Sequence, residues 1–450
     1  MFHRLLIANR GEVAARLARA ARSLGISPVG IASEADLGAS WLAQMDQVVC
    51  LGPASAKESY LDPERVLQAA LDTRCSALHP GWGFLSEVPR FAALVRQHGI
   101  TFVGPSASIL ARMGVKSPAK EAMRAAGVPV VPGSVGLVAS PEQALEVARK
   151  VGFPILLKAD SGGGGRGMRR CNDESELAEA FVSARQEAEA AFGSGLLYLE
   201  RYLTGGRHIE VQLLGDGYGH AIHLGERECS VQRKHQKLIE ETPSPALTPA
   251  QRAELGAMAA NAARKLGYEN AGTIEFLRAP TGELYFMEMN TRLQVEHPVT
   301  EMVTGLDIAA WQLRIAAGER LSVAQADVPF RGAAIEVRIN AEDPTQDFRP
   351  SPGKLEAFEF PKDLGPGTVR VDTHLVVGDR VTPHYDSLLA KVIAHGATRD
   401  EAIETLLRTL RASKVKGVHT TIPLHLAVLD SKEFRSGNYD TASIPGWPAR

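Results

Sequence analysis

Two glutamates, Glu275 and Glu288, stand in neighbouring apolar runs, TIEFL and LYFMEMN, with a Pro-Thr-Gly turn between them. A hairpin through that turn brings both carboxylates to one face, and Asn290 adds another oxygen. Mg²⁺ takes a few protein oxygens and completes its octahedron with water and substrate phosphate, so this set suits a magnesium site in phosphoryl transfer. The plainer alternative is a pair of solvated strand carboxylates, which fits poorly with their apolar flanks. Directly downstream comes Asn290-Thr291-Arg292-Leu293-Gln294-Val295-Glu296-His297-Pro298. If the segment is extended, alternation puts Arg292, Gln294 and Glu296 on one side. A guanidinium, an amide and a carboxylate in succession suit a small oxyanion that must also lose a proton. Bicarbonate is such a species, with Glu296 as general base, and a structural salt-bridge ladder is the competing reading.

Asp160-Ser161-Gly162-Gly163-Gly164-Gly165-Arg166-Gly167-Met168 follows a strand candidate ending in Lys158. Consecutive glycines let backbone N–H groups turn toward phosphate oxygens while Lys158 and Arg166 neutralise charge. The G-K-[ST] ending of a P-loop is missing, and a flexible surface loop is the bland alternative. A third stretch, Glu226 to Lys237, is dense in cations and amides. Cys229 there has no visible partner base, so a nucleophile is not supported; Lys237 and His235 fit better as groups facing phosphate or bicarbonate. Arg338, flanked by Val337 and Ile339 in a strand pattern, must project to one face, where it is either paired or functional.

These residues need elements to position them. Leu5–Ala8 reads as a strand, with a turn at Asn9-Arg10-Gly11. A helix follows with Val13, Leu17, Ala21 and Leu24 on one face, then a second strand, Val29–Ala32, making a βαβ unit of a parallel sheet. The turn lacks G-x-G-x-x-G, which argues against a dinucleotide site. Prolines 129 and 132 predict a boundary near Gly133, and a strand at 154–158 with a helix from Glu174 to Ala190 predicts a small α+β module. Gly205-Gly206 suits a hinge. Short strands at 208–214, 221–224, 272–277 and 284–289 predict an antiparallel sheet. A β-rich segment begins after Gly332, a helix spans Arg399 to Ser413, and a polar tail follows Lys432.

The 450 residues, 44% hydrophobic and 23% charged, are enough for two to four structural units. Lys plus Arg (50) nearly balances Asp plus Glu (52), so no global field draws the chain onto nucleic acid or an anionic membrane. No run approaches the ~18 to 20 apolar residues of a membrane span. The four scattered cysteines form no C-x-x-C pair and no disulfide framework, and the N-terminal apolar run is broken too early for a signal peptide. A cytoplasmic protein is expected.

IANRGE, HPGWGFLSE at 79–87, GGGGRGM, ERECSVQRKHQK, MEMNTRLQVEHPVTEM and EVRINAED occur in that order. Together, from residue 1 to about residue 445, the chain resembles the biotin carboxylases, the ATP-grasp component of acetyl-CoA carboxylase and related biotin-dependent acyl-CoA carboxylases. The resemblance implies an α/β and α+β architecture: a Rossmann-like N-terminal domain (1–113), an ATP-grasp domain (114–330) with a mobile lid at about 131–204, and a C-terminal β-rich, barrel-sandwich-like domain (331–450). It implies that ATP is bound by Lys116, Lys158, Gly163, Gly164, Gly165, Arg166, Gly167, Met168, Glu200, Arg201, Leu203, His208, Gln232, His235 and Leu277. Glu275, Glu288 and Asn290 would hold Mg²⁺ or Mn²⁺. Lys237, Arg292, Gln294, Val295 and Glu296 would hold bicarbonate, Glu296 would deprotonate it, and Arg338 would stabilise the biotin enolate.

What the resemblance further implies is a ligase that carboxylates biotin through carboxyphosphate, with fatty acid biosynthesis as the expected setting. The chain lacks a Met-Lys-Met biotinylation string, so biotin would arrive on a biotin carboxyl carrier protein and leave for carboxyltransferase subunits. A homodimer is expected, with Arg16, Arg19 and Arg370 at its interface. Trp82 stands where the family mostly has Tyr, Val88 where Asn is usual, and Asp160-Ser161 shortens the glycine run by one. The last departure bears on how the lid covers the phosphates. Another ATP-grasp carboxylating ligase and a catalytically idle regulatory paralogue are the competing readings.

Overall fold

In the computed structural model, which describes residues 1–160 and 167–448, the chain opens with a five-stranded parallel sheet. Its strands are β1 (Arg4–Ile7), β2 (Ser27–Ser33), β3 (Gln47–Gly52), β4 (Ala77–His79) and β5 (Thr101–Phe102), in the order β3-β2-β1-β4-β5. The first crossover is the helix Gly11–Ser23. Val13, Leu17 and Ala21 are buried along its inner face, and Leu24 packs on the same core just beyond its end. Parallel strands buried on both faces read as continuous apolar runs, as Leu5-Leu6-Ile7 does.

Next comes a small module of three antiparallel strands, β6 (Ile155–Ala159), β7 (Met168–Cys171) and β8 (Leu197–Arg201), ordered β7-β6-β8. The helices Pro141–Val151 and Glu174–Phe192 cover it through Ala144, Ala148, Leu177, Phe181 and Ala184. The second helix begins where the Asp173 carboxylate caps the Ser175 N–H and ends at Gly193, whose positive φ suits a C-terminal cap.

The largest layer is an eight-stranded antiparallel sheet. It contains β9 (Arg207–Asp216), β10 (Ala221–Arg233), β11 (Gln236–Thr242), β12 (Glu269–Arg278), β13 (Leu284–Asn290), β14 (Ala333–Asn340), β15 (Thr368–Thr373) and β16 (Leu388–Gly396), ordered β13-β12-β9-β10-β11-β14-β16-β15. The change of pattern after Gly332 is therefore no break in hydrogen bonding, because β14 pairs with β11 from Ile239↔Val337 to Thr242↔Ala334. One continuous sheet carries both the central and the C-terminal strands. The helix Pro249–Leu266 packs on β9 and β10, and the helix Arg399–Ala412 packs on β14 and β16.

Three sequence expectations are corrected. The strand expected at 221–224 does not stop there: β10 runs on to Arg233 with Glu226, Arg227 and Glu228 buried, and only Lys234 and His235 sit at the β10–β11 turn with positive φ. Residues 291–296 are not an extended strand. β13 stops at Asn290, and Glu296 immediately precedes the helix His297–Thr304, whose first turn contains Pro298. The tail after Lys432 is not a free polar end, since Phe434 and Tyr439 enter the C-terminal core and the Thr441 N–H donates to the Gly206 carbonyl at 3.0 Å.

Candidate active site

Polar residues alternating along β9 start the site. His208, Glu210 and Gln212 share one face of the strand, and Ile209, Val211 and Leu213 alternate with them on the other. Register sets Glu275 of β12 opposite Glu210, and Glu288 of β13 opposite Glu275. Three carboxylates thus stand side by side in one row that ends on the edge strand β13, an arrangement that like-charge repulsion disfavours unless cations answer it.

Lys237 of β11 is the main answer. Its Nζ lies 2.6 Å from Glu210 Oε2, 2.9 Å from Glu275 Oε1 and 2.6 Å from Glu296 Oε1. Burial pushes the Lys237 ammonium down, but Glu210, Glu275 and Glu296 outweigh it and hold its pKa well above the ordinary lysine value. Burial likewise pushes the Glu296 carboxyl up, while Lys237, Arg338 and Arg227 more than reverse this and keep it ionised far below neutral pH. Arg338 reaches Glu296 Oε2 with Nη2 at 2.9 Å and donates from Nε to Glu240 Oε1 at 2.7 Å. Burial raises Glu240 to about 7, Arg338 opposing and Glu296 adding to it.

The segment after β13 closes around this cluster without being a strand. Gln294 Nε2 donates to Glu275 Oε1 at 2.9 Å, and its Oε1 accepts from Arg227 Nη2 at 2.6 Å. Arg292 binds Glu87 Oε2 through Nε at 2.8 Å and Asn290 Oδ1 through Nη2 at 2.9 Å. Asn290 Nδ2 in turn donates to Glu275 Oε1 at 2.8 Å. The Val295 carbonyl accepts from Lys391 Nζ at 2.9 Å. Glu275, Asn290, Arg292, Gln294, Val295, Glu296, Lys237 and Arg338 are therefore brought together by hydrogen bonds, though not by the alternation first expected for 292–296.

Glu288 is the solvent-accessible member of the carboxylate pair, and its pKa is raised, first by the facing charge of Glu275 and then by burial. A divalent cation would relieve that repulsion, and the set of two carboxylates and an amide oxygen is hard and oxygen-only, so these residues fit Mg²⁺ or Mn²⁺. His208 Nε2 lies 3.0 Å from Glu275 Oε2, and His208, Glu210 and Glu275 bring ligand-type atoms within 4.8 Å of one another.

A cluster of lysines borders the same cleft. Lys116 begins the helix Lys116–Ala126, and Lys158 on β6 lies 2.5 Å from Glu200 Oε2 of β8. Burial and the neighbouring Lys116 push Lys158 down to about 8 even with Glu200 beside it. Asp160 accepts from the Ser117 N–H at 2.9 Å, tying the three-stranded module to that helix. Leu277 pairs in register with His208, and Gln232 with Lys237. Arg201 is exposed at the end of β8, Leu203 is half-buried just beyond it, and His235 is exposed at the β10–β11 turn. Gly167 has a positive φ and leads into Met168, the first residue of β7. Gly163, Gly164, Gly165 and Arg166 lie outside the described residues.

Several residues of the cluster escaped the sequence reading. Glu210 and Glu240 look like ordinary strand positions until their cations are seen, although the His208-Glu210-Gln212 alternation was a readable signal. Lys120 adds a third lysine: it ion-pairs with Glu200 and lies over the Tyr198 ring. Glu87, in HPGWGFLSE, anchors Arg292. Cys229 is fully buried, and burial first, then Glu210, pushes its thiol well up, which makes it an unreactive core residue.

A lysine cluster where a small α+β module meets the helix Lys116–Ala126, set against a row of carboxylates on an antiparallel sheet, is the arrangement of a nucleotide-dependent ligase of the ATP-grasp class. Family models match in register along the chain: biotin carboxylase N-terminal domain at residues 1–110, carbamoyl-phosphate synthase L chain ATP-binding domain at 116–324, and biotin carboxylase C-terminal domain at 336–445. The biotin carboxylase of Pseudomonas aeruginosa is 51% identical over 97% of this chain and 96% of its own. The Campylobacter jejuni biotin carboxylase–β,γ-ATP complex superposes with a TM-score of 0.94 at 43% identity, covering 98% of each chain. The biotin carboxylase domain dimer of Hydrogenobacter thermophilus 2-oxoglutarate carboxylase, bound to MgADP and bicarbonate, gives 0.92 at 47% identity, covering 98% of this chain and 96% of that one. This chain belongs to the biotin carboxylase family.

Proposed function

We propose that the protein carboxylates biotin on a biotin carboxyl carrier protein, consuming MgATP and bicarbonate, as the first half-reaction of acetyl-CoA carboxylase or a related acyl-CoA carboxylase. The observation that carries this reading is the single ammonium of Lys237 touching Glu210, Glu275 and Glu296 at once, with Arg338 on the far oxygen of Glu296. It joins the metal carboxylate, the base and the biotin ligand in one cluster. Bound to Glu275, Glu288 and Asn290, Mg²⁺ would neutralise phosphate charge during transfer.

The protein's own groups divide the work. Lys116 and Lys158 draw the ATP phosphates in. Glu200, Arg201, Leu203, His208, Gln232, His235 and Leu277 border the nucleotide, with Gly167 and Met168 at the foot of the lid. Lys237, Arg292, Gln294 and the Val295 backbone hold bicarbonate. Its oxygen attacks the γ-phosphorus, the bond to the ADP oxygen breaks, and Glu296 takes the bicarbonate proton. Glu296 is too weak a base while two cations clamp it. It becomes competent as Lys237 turns to bicarbonate and Arg338 to the biotin ureido oxygen. Carboxyphosphate then divides into CO₂ and phosphate, phosphate accepts the ureido proton, and Arg338 stabilises the enolate that captures CO₂. A lid over residues 131–204 excludes water from the labile intermediate.

The functional units are proposed as residues 1–113, 114–330 and 331–450. In this reading the protein works in the cytoplasm as a homodimer with carboxyltransferase subunits. The Hydrogenobacter thermophilus neighbour is a dimer, and Arg16, Arg19 and Arg370 gather with Glu301, Asp307 and Asp372 around a surface cavity of about 350 Å³. The test is ADP release with bicarbonate, with and without free biotin. Stimulation by biotin is expected; turnover without stimulation would mean another ATP-grasp ligase, and no turnover an idle paralogue.

A further inference from the structure

Lys391 on β16 is fully buried, and register places it between Arg338 of β14 and Asp372 of β15 in one row across the sheet. Directly opposed residues of antiparallel strands share a face, so these three side chains lie under the helices Gly11–Ser23 and His297–Thr304, which pack on that face. A buried ammonium is strongly unfavourable unless it is paired and hydrogen-bonded. Lys391 Nζ lies 3.1 Å from Glu12 Oε2 and 5.1 Å from the centroid of the Trp82 ring, and it donates to the Val295 carbonyl at 2.9 Å.

Glu12 alone would balance the charge, so the contact with Val295 is what asks for a reason. Residues 291–296 form no strand and no helix, yet they carry Gln294 and Glu296 into the cleft. Within this turn Gln294 fastens its own carbonyl to the His297 N–H at 3.3 Å. The next carbonyl, that of Val295, takes its hydrogen bond from Lys391, across the sheet. An ammonium held rigidly by Glu12 and Trp82 is a fixed post for a peptide that would otherwise rotate, and rotation there re-aims the Glu296 carboxylate.

We propose that Lys391 is a positioning residue: by holding the Val295 carbonyl it sets the turn that presents Gln294 and Glu296 to the small oxyanion. The inference rests on the reading of that turn as a bicarbonate site. Removing Lys391 alone would leave the buried Glu12 carboxyl without its cation, so Glu12→Gln is the companion substitution.

The experiment compares the unmodified protein, Glu12→Gln, and Lys391→Met combined with Glu12→Gln, by thermal melting and by the kinetics of bicarbonate-dependent ADP release with free biotin. The paired variant removes both members of the ion pair, and Asp372, which Lys391 also faces, keeps Arg370 at 2.6 Å. Its KM for bicarbonate is expected to rise roughly tenfold, the scale of one lost charged hydrogen bond, with the KM for ATP within about twofold of the parent. Glu12→Gln keeps Lys391 and an oxygen that still accepts from it, so the Val295 contact is loosened and not lost, and the bicarbonate KM should rise by less than in the paired variant. A folded paired variant with the parent's bicarbonate KM would overturn the inference. If the unmodified protein shows no bicarbonate-dependent turnover, the reading of the site fails instead, and the two failures are distinct.

Discussion

Glu296→Gln separates the base from its surroundings. Glutamine keeps the side-chain volume, and its carbonyl oxygen still accepts from Lys237 or Arg338, but it does not take a proton. The two cations remain answered, Lys237 by Glu210 at 2.6 Å and Glu275 at 2.9 Å, and Arg338 by Glu240 at 2.7 Å. The structural loss is therefore one charged partner among several, about 1 to 3 kcal/mol, and the fold should persist. The catalytic loss is larger, because a positioned base contributes on the order of 100- to 10,000-fold. Biotin-stimulated ADP release at saturating ATP and bicarbonate, followed with a coupled assay on protein shown to be folded by its melt, is expected to fall by at least about 100-fold. A variant that turns over within roughly tenfold of the parent would refute Glu296 as the base, since ground-state binding alone accounts for losses of that size.

Three further outcomes are expected. Lys158 titrates near 8 because burial and Lys116 disfavour its charge; it is cationic below that pH and neutral above, so kcat/KM for ATP should fall as pH rises through about 8. Lys158→Arg, which stays charged, should remove that limb of the profile. Glu288→Gln relieves the repulsion with Glu275, so melting should hold or rise without metal, while the Mg²⁺ concentration needed for half-maximal rate rises roughly tenfold or more, read by metal titration. Phe434→Ala empties a fully buried position in the C-terminal core and should cost about 3 to 5 kcal/mol in urea unfolding, whereas a loss below about 1 kcal/mol would mean that the tail is not part of the fold.

Local pattern made the hairpin legible. Glu275 and Glu288 sit in short apolar runs on either side of a turn, and that is enough to predict their pairing. The βαβ start was equally readable, because Val13, Leu17 and Ala21 repeat at helical spacing between two apolar strands. The 291–296 segment misled because alternation was read past the end of β13, although Pro298 is a residue favoured in the first turn of a helix and marked the change. β10 was cut short for a different reason. Glu226, Arg227 and Glu228 look solvated in sequence, and they are buried because Arg252, Glu210 and Arg207 meet them from elsewhere in the fold. The tail is a similar case: Tyr439 hydrogen-bonds Glu241, which Arg399 also clamps at 2.5 Å. No local rule reveals partners so far apart in the chain.

Those hidden pairings also say where the site must be. Buried ion pairs seldom stabilise a fold beyond what well-packed apolar residues of the same volume would. A sheet whose one face carries His208, Glu210, Gln212, Arg227, Lys237, Glu240, Glu275 and Arg338 in adjoining rows gains little stability from them. Such a face persists because it offers charges already desolvated and aimed, with pKa values pushed apart, to substrates that arrive charged. Each cation in it is held by carboxylates it can exchange for a phosphate or a bicarbonate oxygen, and each carboxylate is held by cations that leave it when they do. Among the described residues the unpaired excess falls at Glu288, the accessible carboxylate whose pKa is raised by Glu275, which is where a divalent ion accompanying ATP would complete the balance.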